Sequence, residues 1–211
     1  MLYKMSICLF FLCLCSPAIR AEESPEDALS KETVSKFAEN VLLHVVLHEV
    51  GHGLIREFDL PILGNEETMA DAFATHYLTH YLPDRALDVL KARTDSLMIE
   101  ANQVPREKWT VKGEHDNDAR RAFQIAALAV AADSKKYSPI AIGLGMTDGE
   151  IRKAADYGAE IHRSWRRILR PLMMPDGRES RETRVTFDPS CKLAAQIREN
   201  GLATEIASAL K

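Results

Sequence analysis

Between Thr33 and Phe58 the apolar residues Val34, Phe37, Val41, Leu42, Val45, Val46, Val50 and Leu54 return every three or four positions. That is the period of a helix with one buried face. Two imidazoles and a carboxylate stand within this apolar stretch, in His48-Glu49-Val50-Gly51-His52. Taking such groups into an apolar interior costs free energy unless something satisfies them, so the fold must supply them with a partner. Positions i and i+4 of a helix lie one turn apart on one face, and both rings can therefore reach a single metal ion. Glu49, one position on, points beside them, where its carboxylate can take a proton from a water activated by the metal. Gly51 costs about 1 kcal/mol relative to alanine in a helix interior, which makes sense where another segment must approach closely.

A catalytic zinc takes three protein ligands and keeps one position open for water. Ile55 and Phe58 stand where the extended metzincin motif places glycine and histidine, so that class is excluded. Glu67-Thr68-Met69-Ala70-Asp71 offers two carboxylates one turn apart, at the start of a second helix that can lie antiparallel to the first. Glu67 is read as the third zinc ligand, and Asp71 as the acceptor that fixes the tautomer of a ligand histidine. Glu66 is read as an ordinary acid at a helix N-terminus, favoured by the dipole. His44 pairs with His48 at i, i+4, but Val45 leaves that register without a carboxylate, so His44 reads as a packed or capped histidine. His76 and His80 form another such pair. With no acidic partner at fitting spacing they read as exposed or capped rather than as a second metal site.

His115, between Glu114 and Asp116, has two readings that stay open: a donor to the oxyanion of a tetrahedral intermediate, or a plain loop histidine. Tyr137 and Tyr157 are weaker candidates for the donor role. Arg120, Arg121 and the basic run from Arg163 to Arg167 read as solvated helix faces, with Trp165 packed inward.

Around the motif the chain reads as mainly α. The first helix is expected to start after a Ser30 cap and to end at Asp59-Leu60-Pro61, since proline disfavours helical geometry in the residue before it. Further helices are expected from about Glu66 to Tyr81, stopped by Pro83, from Leu87 to Ala101, and from Asn117 or Asp118 to about Asp133. Ser134 to Gly149 reads as a long loop carrying Pro139, Gly143, Gly145 and Gly149. Thr147 and Glu150 form a capping-box pattern opening a helix that buries Ile151, Ala155, Ile161, Trp165 and Ile168. Thr183 to Phe187 is the one candidate strand, and Cys191 to Ala209 a terminal helix.

The first residues point to export. Lys4 precedes an apolar run from Met5 to Cys15, then Ser16-Pro17-Ala18 and Ile19-Arg20-Ala21, a signal-peptide layout with cleavage after Ala18 or Ala21. The run is well short of the roughly 20 apolar residues of a spanning helix. The expected product, 22–211, is a single domain without a membrane span, in the periplasm or secreted. Cys8, Cys13 and Cys15 would leave with the leader, and Cys191 alone cannot close an internal bridge. The formal net charge of the whole chain is −4, and loss of Lys4 and Arg20 makes it more acidic. No basic field is available for nucleic acid.

The stretch from Phe37 to Ala74, FAENVLLHVVLHEVGHGLIREFDLPILGNEETMADAFA, resembles a bacterial family of metallopeptidase-like domains whose members share a segment close to HELGHALIDELDLPVLGREEDAAD. Val50 and Gly53 stand where that segment has leucine and alanine. His115 through Arg121 and Ser164-Trp165 look like the family's later His-x-x-x-x-x-Arg and Ser-Trp positions. The downstream ExxxD element is also similar to the third-ligand helix of gluzincin peptidases, including the membrane-bound prenyl-protein endopeptidases. The resemblance implies a zinc peptidase with a zincin-like helical core and little β structure, acting on peptides or proteins. It supplies no substrate. The expected chemistry is hydrolysis with Zn2+ held by His48, His52 and Glu67, Glu49 as general base and acid, and Asp71 behind a ligand. A zinc-bound scaffold that holds a partner in a peptidase-like groove is the alternative, and Glu49 argues against it, because such a site has no need of that carboxylate.

Overall fold

A computed structural model of the protein describes residues 25–61, 64–109, 117–171, 186, 194–199 and 201–209. The leader read at 1–21, His115, Cys191 and all of the candidate strand except Thr186 lie outside the described residues. Those described form helices α1 (Pro25–Glu57), α2 (Glu66–Tyr81), α3 (Pro83–Gln103), α4 (Asp118–Ala132), α5 (Ser134–Gly143), α6 (Asp148–Leu169), α7 (Ala194–Glu199) and α8 (Leu202–Ala209), with a 3-10 turn at Arg106–Lys108. The architecture is mainly α, and no strand occurs among the described residues.

α1 ends as the sequence suggests: Asp59 takes φ 48°, and the Leu60 N–H reaches back to the Ile55 carbonyl at 3.0 Å. That is a Schellman-type stop, with the aspartate in the left-handed region that Asp and Asn tolerate better than most residues. Its start differs, because the helix runs from Pro25 and Ser30 lies inside it. Asn65 caps α2 by accepting from the N–H groups of Glu67 and Thr68. Pro83 does not merely stop α2. It occupies the first turn of α3, where its missing N–H goes unused, so α3 begins four residues earlier than Leu87. Asn117 caps α4, and Thr147 with Glu150 closes a complete capping box on α6.

The expected loop after Asp133 is instead α5. Asp133 caps it, and Tyr137, Ile140 and Ala141 put an i, i+3, i+4 stripe into the core. Pro139 sits on its exposed side, where losing one intrahelical bond interferes least with packing. The terminal helix is likewise two helices, α7 and α8, with Gly201 between them at φ 72°.

α4 is the central element, packed against α2, α3, α5 and α6. Its small residues Ala122, Ala126 and Ala129 and the larger Ile125 are fully buried. Gly158 of α6 lies so near this helix that an added Cβ would stand 2.5 Å from the Ala131 Cβ. α1 packs across α2 and α3, and the crossing with α2 depends on Gly51, where a Cβ would meet the Ala70 Cα at 3.1 Å. Val34, counted in the apolar stripe of the sequence, is instead 64% exposed. Arg85 of α3 donates to Asn40 of α1 and pairs with Glu205 of α8, tying the last helix to the bundle. No described helix is long and apolar enough to cross a membrane.

Candidate metal centre

The crossing at Gly51 brings the first turn of α2 onto the motif face of α1. His48 and His52 are buried, and their Nε2 atoms lie 3.1 Å apart. Glu67 completes a triangle, with Oε2 3.2 Å from the His48 Nε2 and Oε1 3.3 Å from the His52 Nε2. Each ring is held from behind. The His48 Nδ1 is 2.8 Å from Asp71 Oδ1, and the His52 Nδ1 is 2.6 Å from Glu66 Oε1. A carboxylate can only accept, so both Nδ1 atoms donate, and in that neutral tautomer an imidazole carries its lone pair on Nε2. Two lone pairs and a carboxylate therefore converge within 3.3 Å.

The donor set fits a cation. Tetrahedral zinc with ligands at about 2.0–2.1 Å sets them roughly 3.3 Å from one another, which is the spacing found. The rings also have the carboxylate partners that orient ligand histidines in metal sites. Glu49 follows His48 on α1 and is exposed, so its carboxylate is open to solvent. A cleft of 370 Å³ lined by His52, Arg56, Asn65, Glu66 and Glu67 opens beside the triangle.

Two residues behind the site escaped the sequence reading. Arg121 is buried rather than on a solvated face: its Nε and Nη2 clasp Asp71 at 2.8 and 3.0 Å. Burial alone would raise the Asp71 carboxyl, but the hydrogen bonds from His48 and Arg121 hold it well below the usual carboxylate range. The only sequence signal for Arg121 was the likeness to the family's later arginine. Glu66 is more than an acid at a helix start, since it accepts from His52 and pairs with Arg56. The hydrogen bond from His52 lowers its pKa. No pattern distinguished it, because an adjacent acid on the same turn looked equally solvent-facing.

His44 is fully packed, with neither ring nitrogen hydrogen-bonded, and burial pushes its pKa down to about 3. Trp165 is buried as expected, stacked edge-on against Phe73 with ring centroids 5.2 Å apart. Tyr137 is buried in the core and Tyr157 is exposed on α6, and neither approaches the triangle in the contacts described.

A helical bundle that brings an HExxH helix against an acid-bearing second helix defines a metallopeptidase-like class. The chain belongs to the DUF4344 family, whose description is putative metallopeptidase and whose model matches residues 4–169. No curated protein and no solved structure matches it.

Proposed function

We propose that this protein is an exported, zinc-dependent metallopeptidase of gluzincin type. The observation that carries the proposal is the triangle of His48, His52 and Glu67, with both histidine Nδ1 atoms donated to carboxylates. His48 and His52 would hold zinc through Nε2, and Glu67 through its carboxylate. A zinc ion there would supply the Lewis acidity that brings the pKa of water toward about 7. Glu49 accepts a proton from the attacking water and returns it to the leaving amine, the general base and general acid of one cycle. Asp71, braced by Arg121, and Glu66 keep the two rings in the tautomer the site needs. His115 is proposed as a donor to the oxyanion of the tetrahedral intermediate. The cleft along α2 would receive the peptide. Export through the segment 1–21 completes the reading, with the mature chain starting at Ile19 or Glu22.

The test combines elemental analysis of the purified mature protein with cleavage of a broad peptide library. The proposal expects about one equivalent of zinc at this centre and cleavage that a chelator abolishes and added zinc restores. Zinc-loaded protein that cleaves nothing would put the scaffold reading ahead, and Met1 on a membrane-bound product would overturn export.

A further inference from the structure

Farther along α2, a third histidine joins the pair that the sequence left as exposed or capped. His80 is exposed, but His76 is fully buried, and His162 of α6, also buried, lies against both. Ring centroids are 4.1 Å apart for His76 and His80, 5.3 Å for His76 and His162, and 5.2 Å for His80 and His162. One ring nitrogen from each residue lies within 4.8 Å of the other two.

Backbone carbonyls select the tautomers of His162 and His80. The His162 Nε2 is 2.7 Å from the Leu128 carbonyl oxygen and must donate to it, which leaves a lone pair on Nδ1, 3.0 Å from the His76 Nδ1. The His80 Nδ1 lies 3.0 Å from the His76 carbonyl oxygen, and donation there leaves the lone pair on Nε2. Carbonyl acceptors on the far nitrogen are a recurring way of orienting ligand histidines. In the metal-free protein the His76 Nδ1–H donates to that His162 lone pair, and a metal bound there would move the proton to the His76 Nε2, which is buried without a hydrogen-bond partner.

We propose that His76, His80 and His162 form a second metal site, taking a borderline transition-metal ion such as Zn2+ and cross-linking α2 to α6. Imidazole nitrogen suits such ions, and three ligands leave a fourth position for water on the exposed His80 side. The 3.0 Å between the His76 and His162 nitrogens is close to the roughly 3.3 Å of tetrahedral zinc. His80, exposed on α2, would have to bring its Nε2 closer to complete the set, at the expense of its bond to the His76 carbonyl. Arg166 donates to the His80 Nε2 at 3.3 Å and would have to give way. Its side chain is on the exposed face of α6, so it can swing into solvent.

The site is separate from the HEVGH centre. The nine helical steps from Glu67 to His76 along α2 rise about 13.5 Å, whereas cooperating catalytic metal pairs stand about 3.5–4 Å apart. Its role is therefore that of a clamp. The same α2 that carries Glu67 and Asp71 would be fixed to α6 beside the Phe73–Trp165 contact.

Chelator-stripped full-length protein titrated with zinc tests this. Wild type should bind two equivalents, while His80→Ala, whose side chain is exposed, and His162→Gln should each bind one. Circular dichroism of the metal-free variants should match wild type, and the zinc-induced rise in Tm should be smaller in His80→Ala. Glu67→Ala should also drop to one equivalent, and this remaining equivalent should disappear when combined with His80→Ala. If His80→Ala and His162→Gln both keep the wild-type stoichiometry, the second site is refuted, whatever happens at Glu67. If zinc is lost in His80→Ala but unchanged in Glu67→Ala, the second site stands and the reading of the HEVGH centre falls.

Discussion

Asp71 links the motif to the middle of the bundle, accepting the Nδ1–H of His48 on one side and the fork of Arg121 on the other. Glu66 does the same for His52 from a half-exposed position, with Arg56 alongside. Partners of this kind are worth about 10-fold to 100-fold in metal affinity. Asp71→Asn should weaken zinc by that amount, and Glu66→Gln should do so toward the lower end, both measured by competition against a chromogenic chelator. A Glu66→Gln protein with wild-type affinity would return that residue to the role of an ordinary helix-start acid. His48, Glu49 and His52 could be read from five consecutive residues, and Glu67 with Asp71 from one-turn spacing. Arg121 could not, because its burial depends on which face of α4 meets α2. His162 was equally hidden, as its meeting with His76 joins residues 86 apart in the chain.

Helix boundaries were legible where capping chemistry is explicit, at Asn65, Asn117 and the Thr147–Glu150 box. They were missed where proline and glycine carry two meanings. Pro83 begins a helix as readily as it ends one, and Pro139 is tolerated in α5 because its side of the helix faces solvent. The glycines of α1 and α6 separate a packing role from a merely permissive one. Gly158→Ala would drive a Cβ into Ala131, an overpacking that should cost about 1–3 kcal/mol. At Gly53 there is nothing within 4 Å of an added Cβ, so Gly53→Ala should gain up to about 1 kcal/mol through helix propensity. Urea unfolding measures both, and equal effects of the two substitutions would contradict the close crossing of α4 and α6.

Among the described residues, buried histidine contributes to acid stability, with both ring nitrogens of His44 and one of His76 left without a hydrogen bond. Burial lowers the pKa of His44 and His76 to about 3 and that of His162 below its ordinary value. Unfolded histidine takes up its proton near pH 6.5, so in the window between about 6.5 and 3 the unfolded chain binds protons that the folded chain refuses. For His44 and His76 that stability is fully present above the window and is lost as pH falls through it, by about 1.4 kcal/mol per pH unit each. The Tm of metal-free protein should fall between pH 7 and pH 4, and His44→Leu should make that fall shallower. An unchanged slope would contradict a neutral, buried His44. In the proposed zinc centre Glu49 would do the chemistry and His48, His52 and Glu67 would hold the metal. Glu49→Gln keeps the size of the side chain and removes its basicity, so zinc content and peptide cleavage measured on the same preparation test that claim most directly. Zinc should remain at the wild-type level while cleavage falls by about 10²-fold or more; undiminished cleavage with zinc in place would contradict it.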